Sequence, residues 1–279
     1  MKLIVFAKHL KSLSIPELVK KGRYFGVDGY DYPVRPGYAV NPENAVTALP
    51  ELARALRAEG LDLPMCTGDH TLLDPADPFA ERLMGLLAEN GVGLLKPGTW
   101  RYRPEMDYRA TVDGARRCLD GWAKLAEKYG VAVCLQTHSG PWLGCNAAGL
   151  MDMIGGFDPR RIGAYLDCGH LAISGEDFFM ACNIVGAHFR ILGVKDMKKV
   201  WVERDGKRSV QRTVAPVGKG VVDFRDVFAN VARVGFDGPV TIHVEYNATL
   251  PSLLRATRRD AGVYRGMMAE ARGTARAEN

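Results

Sequence analysis

Asp167 and His170 belong to the stretch Tyr165-Leu166-Asp167-Cys168-Gly169-His170, which continues the apolar run from Ile162 to Leu166. A carboxylate and an imidazole at the tip of a buried strand can polarise an oxygen, move a proton or hold a metal. Other histidines fall at comparable places. His9 follows the apolar run 3–7, His70 follows 61–66, His138 follows 131–136, and His243 lies two residues before Glu245 in the run 239–245. Only His188 falls at the start of a predicted strand. Side chains two residues apart on a strand share a face, so Gln136 with His138, and His243 with Glu245, can point to one axis. Such a polar floor suits Mn²⁺ or Zn²⁺. The chemistry expected there is polarisation of a carbonyl or hydroxyl while a carboxylate or imidazole takes a proton from carbon. The alternative from the residues alone is a polar core network without catalysis.

The elements that would position these groups alternate regularly. Predicted strands at 3–7, 27–30, 61–66, 92–96, 131–136, 162–167, 186–194 and 239–245 are separated by amphipathic stretches. The first helix opens on a capping box, Ser14 with Glu17, and Pro16 suits its first turn. Gly60, Gly91, Gly130 and Gly235 follow four of the other helical stretches. Eight strand–helix units in 279 residues point to an α/β fold, a single-domain (β/α)8 TIM barrel over 1–279. An open doubly wound sheet is the alternative, but no GxGxxG follows the first strand. Val200-Trp201-Val202 and the run 210–214 flank Asp205-Gly206-Lys207, which predicts a hairpin insertion near 197–216. An Arg-rich helix is expected near 252–275.

Composition narrows the classes. With 47% hydrophobic and 25% charged residues the chain can bury a core and is not globally disordered. The N-terminal apolar run is too short for a secretory segment and none reaches membrane-spanning length, so a cytoplasmic protein without membrane partner is expected. The six cysteines form no CxxC pair and read as reduced thiols. The net charge is +5, and residues 252–279 carry six Arg against Asp260, Glu270 and Glu278, so the excess reads as a solvated helix face rather than a nucleic-acid footprint. Lys96, Arg101 and Arg103 read first as solvated charge, with contact to an anionic substrate such as a sugar phosphate or acid as the alternative.

The chain resembles the xylose-isomerase-like sugar isomerase/epimerase family of TIM barrels. The resemblance rests on Leu135-Gln136-Thr137-His138-Ser139-Gly140, Asp167-Cys168-Gly169-His170, Val194-Lys195-Asp196, Pro216-Val217-Gly218-Lys219-Gly220 with Asp223-Phe224, and Gly235-Phe236-Asp237-Gly238-Pro239. It implies a sugar or polyol isomerase or epimerase acting by proton transfer next to a carbonyl, with a small carbohydrate partner and room for a homo-oligomer. Family members hold a divalent cation through Glu, Asp, His and Glu. Asp167 keeps its place, while Gln136, Gly193 and His243 stand where the other three would be. The implied metal set is therefore Asp167, His243, Glu245 and Gln136, with Glu245, His243 and His170 as catalytic groups. His138, Lys195, Trp142, His9 and His70 would bind substrate. The departures keep two alternatives open: a lyase or dehydratase on a keto-sugar or keto-inositol, and a metal-free sugar-binding barrel. A related endonuclease would need a richer set of Glu, Asp and His ligands.

Overall fold

In the computed structural model residues 1–277 are described, without the side chains of Arg272 and residues 274–277. Arg272, Arg276 and Glu278 of the C-terminal charge count therefore lie outside the described side chains. Eight parallel strands close into a barrel: β1 (Leu3–Phe6), β2 (Gly29–Pro33), β3 (Asp62–Thr67), β4 (Leu94–Lys96), β5 (Ala132–Gln136), β6 (Ile162–Asp167), β7 (Phe189–Val194) and β10 (Val240–Ile242). Around the barrel the order is β1, β10, β7, β6, β5, β4, β3, β2. The intervening β8 (Asp196–Arg204) and β9 (Lys207–Ala215) form an antiparallel hairpin outside the barrel.

Period-two patterning is hidden in strands buried on both faces. One face of each strand packs against the helices, in a core that includes Leu3, Val5, Leu63, Leu95, Val133, Leu135, Leu166 and Leu192. The other face builds a separate buried cluster of Ile4, Met65, Leu94, Ala132, Cys134, Tyr165 and Ile191, the layer that fills the barrel beneath its mouth. The Glu17 carboxylate accepts from Ser14 N at 2.8 Å, as the capping box requires, and also from Ser14 Oγ at 2.7 Å. All six cysteines are free.

Two differences from the expected elements bear on the site. The last barrel strand ends at Ile242, so His243 and Glu245 lie beyond it rather than within it. The residues after Asp167 form a helix, Cys168–Ser174, whose first turn Asp167 caps by accepting from His170 N. Its seven residues are too few to leave a helical period in the sequence. Among the described residues no helix is long and apolar enough to cross a membrane.

Asp196 shows what the Lys195-Asp196 pair does for the fold. Its carboxylate accepts from Gly220 N at 2.7 Å and Val222 N at 3.2 Å, tying the 216–222 loop to the start of the hairpin. A Cβ at Gly220 would stand 2.1 Å from Asp196 Oδ1. Gly220→Ala is expected to lower stability by about 1–3 kcal/mol. By contrast, a Cβ at Gly262, within the helix Leu250–Ala277, meets nothing within 4 Å. Gly262→Ala should therefore raise stability by about 0.5–1 kcal/mol. Denaturant titration of both variants checks the pair.

Candidate active site

The carboxyl ends of the barrel strands open into a cavity of about 680 Å³. Strand register assembles its centre. Asp167 pairs with Gly193 across β6 and β7, Val194 pairs with Ile242 across β7 and β10, and His243 N donates to Val194 O at 3.0 Å. Asp167, Lys195 and His243 thus arrive from three adjacent strand ends. Lys195 Nζ lies 3.1 Å from Asp167 Oδ2 and 3.2 Å from Glu245 Oε2. Gln136 Nε2 donates to Asp167 Oδ2 at 2.9 Å. His243 Nδ1 lies 3.6 Å from Glu245 Oε2 and 4.0 Å from Asp167 Oδ2, and its Nε2 is 2.5 Å from the Tyr165 hydroxyl.

Charge pairing outweighs burial in this triad. Burial works to raise Asp167, but Lys195, then His170 and His243, hold it down at about 2. Burial works likewise on Glu245, and Lys195 leads the groups that hold it well below the usual carboxylate range. Lys195 is raised, its burial overcome by the same two carboxylates. Both acids are ionised and the ammonium is charged at neutral pH. Beside them the rings of His138 and His170 have centroids 4.0 Å apart, and His170 Nδ1 lies 2.9 Å from Ser139 Oγ. Burial, then Lys195, lowers His138 to about 4 and His170 well below its ordinary value, so both imidazoles are neutral at pH 7.

The structure brings most of the expected site residues together. Gln136, His138, Trp142, Lys195, His243 and Glu245 line the cavity, with His70 at its exposed rim. Asp167 and His170 lie buried beneath. His9 is a correction: it is not at the cavity, because the turn after β1 carries it outward to Thr257 Oγ1, 2.9 Å away on the C-terminal helix. Sequence reasoning missed Lys8, which pairs with Glu245, and Arg35, which lines the cavity. It also missed Tyr165, which fixes one nitrogen of His243. Arg35 follows β2, and the strand-end rule that found the histidines finds it once β2 is placed to end at Pro33.

The donor set does not fit the divalent cation that the family resemblance implies. The Gln136 amide offers Asp167 an N–H rather than joining its oxygen to a ligand set. Gly193 has no side chain, and a Cβ there would stand 2.9 Å from Tyr165 Cε2 and 3.3 Å from Asp167 Oδ2, so Tyr165 fills the space a ligand would need. The Lys195 ammonium lies between the two carboxylates that would carry the charge of the site. Among the described residues no group of three or more His, Cys, Asp or Glu is arranged to hold a metal. The Asp167, His243, Glu245 and Gln136 set is thus brought together around an ammonium.

A family model described as xylose isomerase-like TIM barrel matches residues 20–265. Inosose dehydratase from Geobacillus thermodenitrificans (strain NG80-2) is 27% identical over 154 residues, 52% of this chain and 50% of that protein. The chain spans about half the length of the curated relatives it matches. Among solved structures, D-psicose 3-epimerase with D-tagatose from Clostridium cellulolyticum H10 superposes with a TM-score of 0.74 at 16% identity, over 96% of this chain and 99% of that one. The IolI protein with a bound zinc atom gives 0.73 at 15% identity, over 97% and 99%. At these identities the two structures share the fold.

The neutral histidines set an acid limit on stability. Burial holds His9 and His138 at about 4 against an ordinary 6.5, and His170 well below that ordinary value. As pH falls from 6.5 towards 4 the unfolded chain takes up protons that the fold refuses. Each such histidine lowers stability by up to about 1.4 kcal/mol per pH unit. Asp31, which burial holds up at about 6, acts in the opposite sense, because it is protonated in the fold before it is in the unfolded chain. Stability is therefore expected to fall between pH 6.5 and 4 with a slope near two protons. His9→Gln should flatten that slope by about one proton, measured by urea titrations across this range.

Proposed function

The chain belongs to the xylose isomerase-like TIM barrel family, and from that premise we propose that it is an enzyme that moves a proton at the carbon next to a carbonyl of a polyhydroxylated small molecule, as a sugar or polyol isomerase or epimerase. One observation carries the reading. Among the described residues Glu245 is the one carboxylate lining the cavity, and a charged N–H donor, Lys195 Nζ, lies 3.2 Å from it. A base and an oxyanion donor side by side are what enolisation requires.

Glu245 is already ionised and needs no activation to accept a proton. Held low by two ammonium groups it is a weak base, so stabilisation of the developing enolate must supply the driving force. An ammonium has three N–H donors. Lys195 directs two to Asp167 and Glu245, and the third is left for the substrate oxygen. His243 lies against Glu245, while the neutral His138 can accept from or donate to substrate hydroxyls. Trp100 and Trp142, which line the cavity, offer aromatic faces to the apolar side of a sugar.

A second reading, a lyase that dehydrates a keto-sugar or keto-inositol, is favoured by a specific feature. Gln136 is neutral, so no second carboxylate faces Glu245 across the substrate. Elimination of water β to a carbonyl needs one base, whereas inversion at carbon needs proton delivery from the other face. The partial likeness to inosose dehydratases supports the same reading.

Incubation of the protein in D₂O with a panel of ketoses and inososes, followed by NMR, tests both. Deuterium entering next to the carbonyl with a new epimer or aldose–ketose pair supports the isomerase; loss of water with a new conjugated enone supports the lyase. No exchange on any member contradicts the proposal. Glu245→Gln is expected to slow exchange by about 10²–10⁴-fold with the circular dichroism of the fold unchanged.

A further inference from the structure

The cavity is lopsided in charge. Lys8, Arg35, Lys96, Arg101, Arg103 and Lys195 line it, against the single carboxylate of Glu245. Lys8 and Lys195 pair with Glu245, and Lys195 also with Asp167. Among the described residues the other four form no ion pair within 4.0 Å. Three of them share a side: Lys96 ends β4, and Arg101 and Arg103 lie in the loop after it. In the barrel order β4 stands opposite β10, after which His243 and Glu245 come, and Arg35 follows β2, midway between the two.

Two of the four are built into the wall. Lys96 is 8% exposed, and its Nζ donates only to neutral acceptors, Pro97 O at 3.2 Å and Thr99 Oγ1 at 3.5 Å. Asp31 lies deeper, and it is itself held up at about 6 by burial. Burial, then Arg35, lowers Lys96 to about 8. Arg35 uses Nε on Gly68 O at 2.9 Å and lies over the Phe6 ring at 5.9 Å. Its terminal nitrogens are left for a two-pronged grip on an oxyanion. Arg101 lies over the Trp142 ring at 5.9 Å, at the rim. Asp31 and Glu245 act on this buried ammonium only from beyond 4.0 Å, and a bound anion would give it a charged partner at hydrogen-bond distance.

We infer that this wall is an anion subsite: the substrate is a polyhydroxylated compound carrying a carboxylate or phosphate, gripped by Lys96 and Arg35, with Arg101 and Arg103 drawing it in. The placing of its carbonyl end at Glu245 rests on the proton-transfer reading above; the anion grip does not. The charge at Lys96, Arg101 and Arg103, which the sequence alone divides between solvent and an anionic substrate, is then with Arg35 the specificity element of the cavity.

Calorimetric titration with inorganic phosphate, D-galacturonate, D-fructose 6-phosphate and, as neutral control, D-fructose tests it. Fructose 6-phosphate or galacturonate should bind at least about tenfold more tightly than fructose, and more weakly as salt rises. Phosphate against galacturonate tells which oxyanion is preferred. Lys96→Met and Arg35→Gln should each weaken anion binding about tenfold or more without changing the affinity for fructose. If Lys96→Met does not fold, Arg35→Gln carries the test. Equal affinity for fructose and its phosphate, or anion affinity unmoved in the variants, overturns the inference. Tight anion binding with no carbon–hydrogen exchange would instead overturn the catalytic reading and leave the subsite standing.

Discussion

The rest of the site depends on one ammonium, Lys195 Nζ, held between Asp167 and Glu245. Two carboxylates sharing so small a space, Asp167 buried and Glu245 half-buried, would repel, and one would take up a proton. The lysine removes that outcome. Asp167 stays ionised, caps the helix Cys168–Ser174 and accepts from Gln136; Glu245 stays ionised at the cavity wall. Lys195 owes its position to the end of β7, and the neighbouring Asp196 anchors the 216–222 loop. Scaffold and chemistry therefore meet in a two-residue motif.

That arrangement also explains the departures from the family pattern as one change rather than three. Gln136 supplies a neutral donor where a third negative charge would exceed what one lysine balances. Gly193 leaves room for the Tyr165 ring, and the Tyr165 hydroxyl meets His243 Nε2. His243 in turn presents Nδ1 to Glu245. Each exchanged corner makes sense beside the others. The same balance leaves the rest of the cavity wall, with Arg35 after β2 and Lys96 at the end of β4, in cationic excess.

Much of this was legible before any coordinates. Eight apolar runs separated by helical patterns are a property of the chain, and a barrel places strand ends on one face, so Asp167, His138, Lys195, His243 and Glu245 could be grouped by position alone. What stayed hidden was direction. His9 and His138 both follow strands, but a turn of one 3₁₀ helix carries His9 out to Thr257 while His138 remains at the cavity. Arg35 was missed because β2 reads weakly, as Gly-Tyr-Asp-Tyr-Pro. The pairing of Lys195 with two carboxylates needs register across β6, β7 and β10, which no local pattern carries.

The most direct test is a crystal structure of the protein grown with millimolar Mn²⁺, with anomalous scattering collected to place the metal. The account predicts Lys195 Nζ within hydrogen-bond distance of both Asp167 and Glu245, and no anomalous peak between them. A manganese ion bound by Asp167 and Glu245, with Lys195 swung aside, would contradict it.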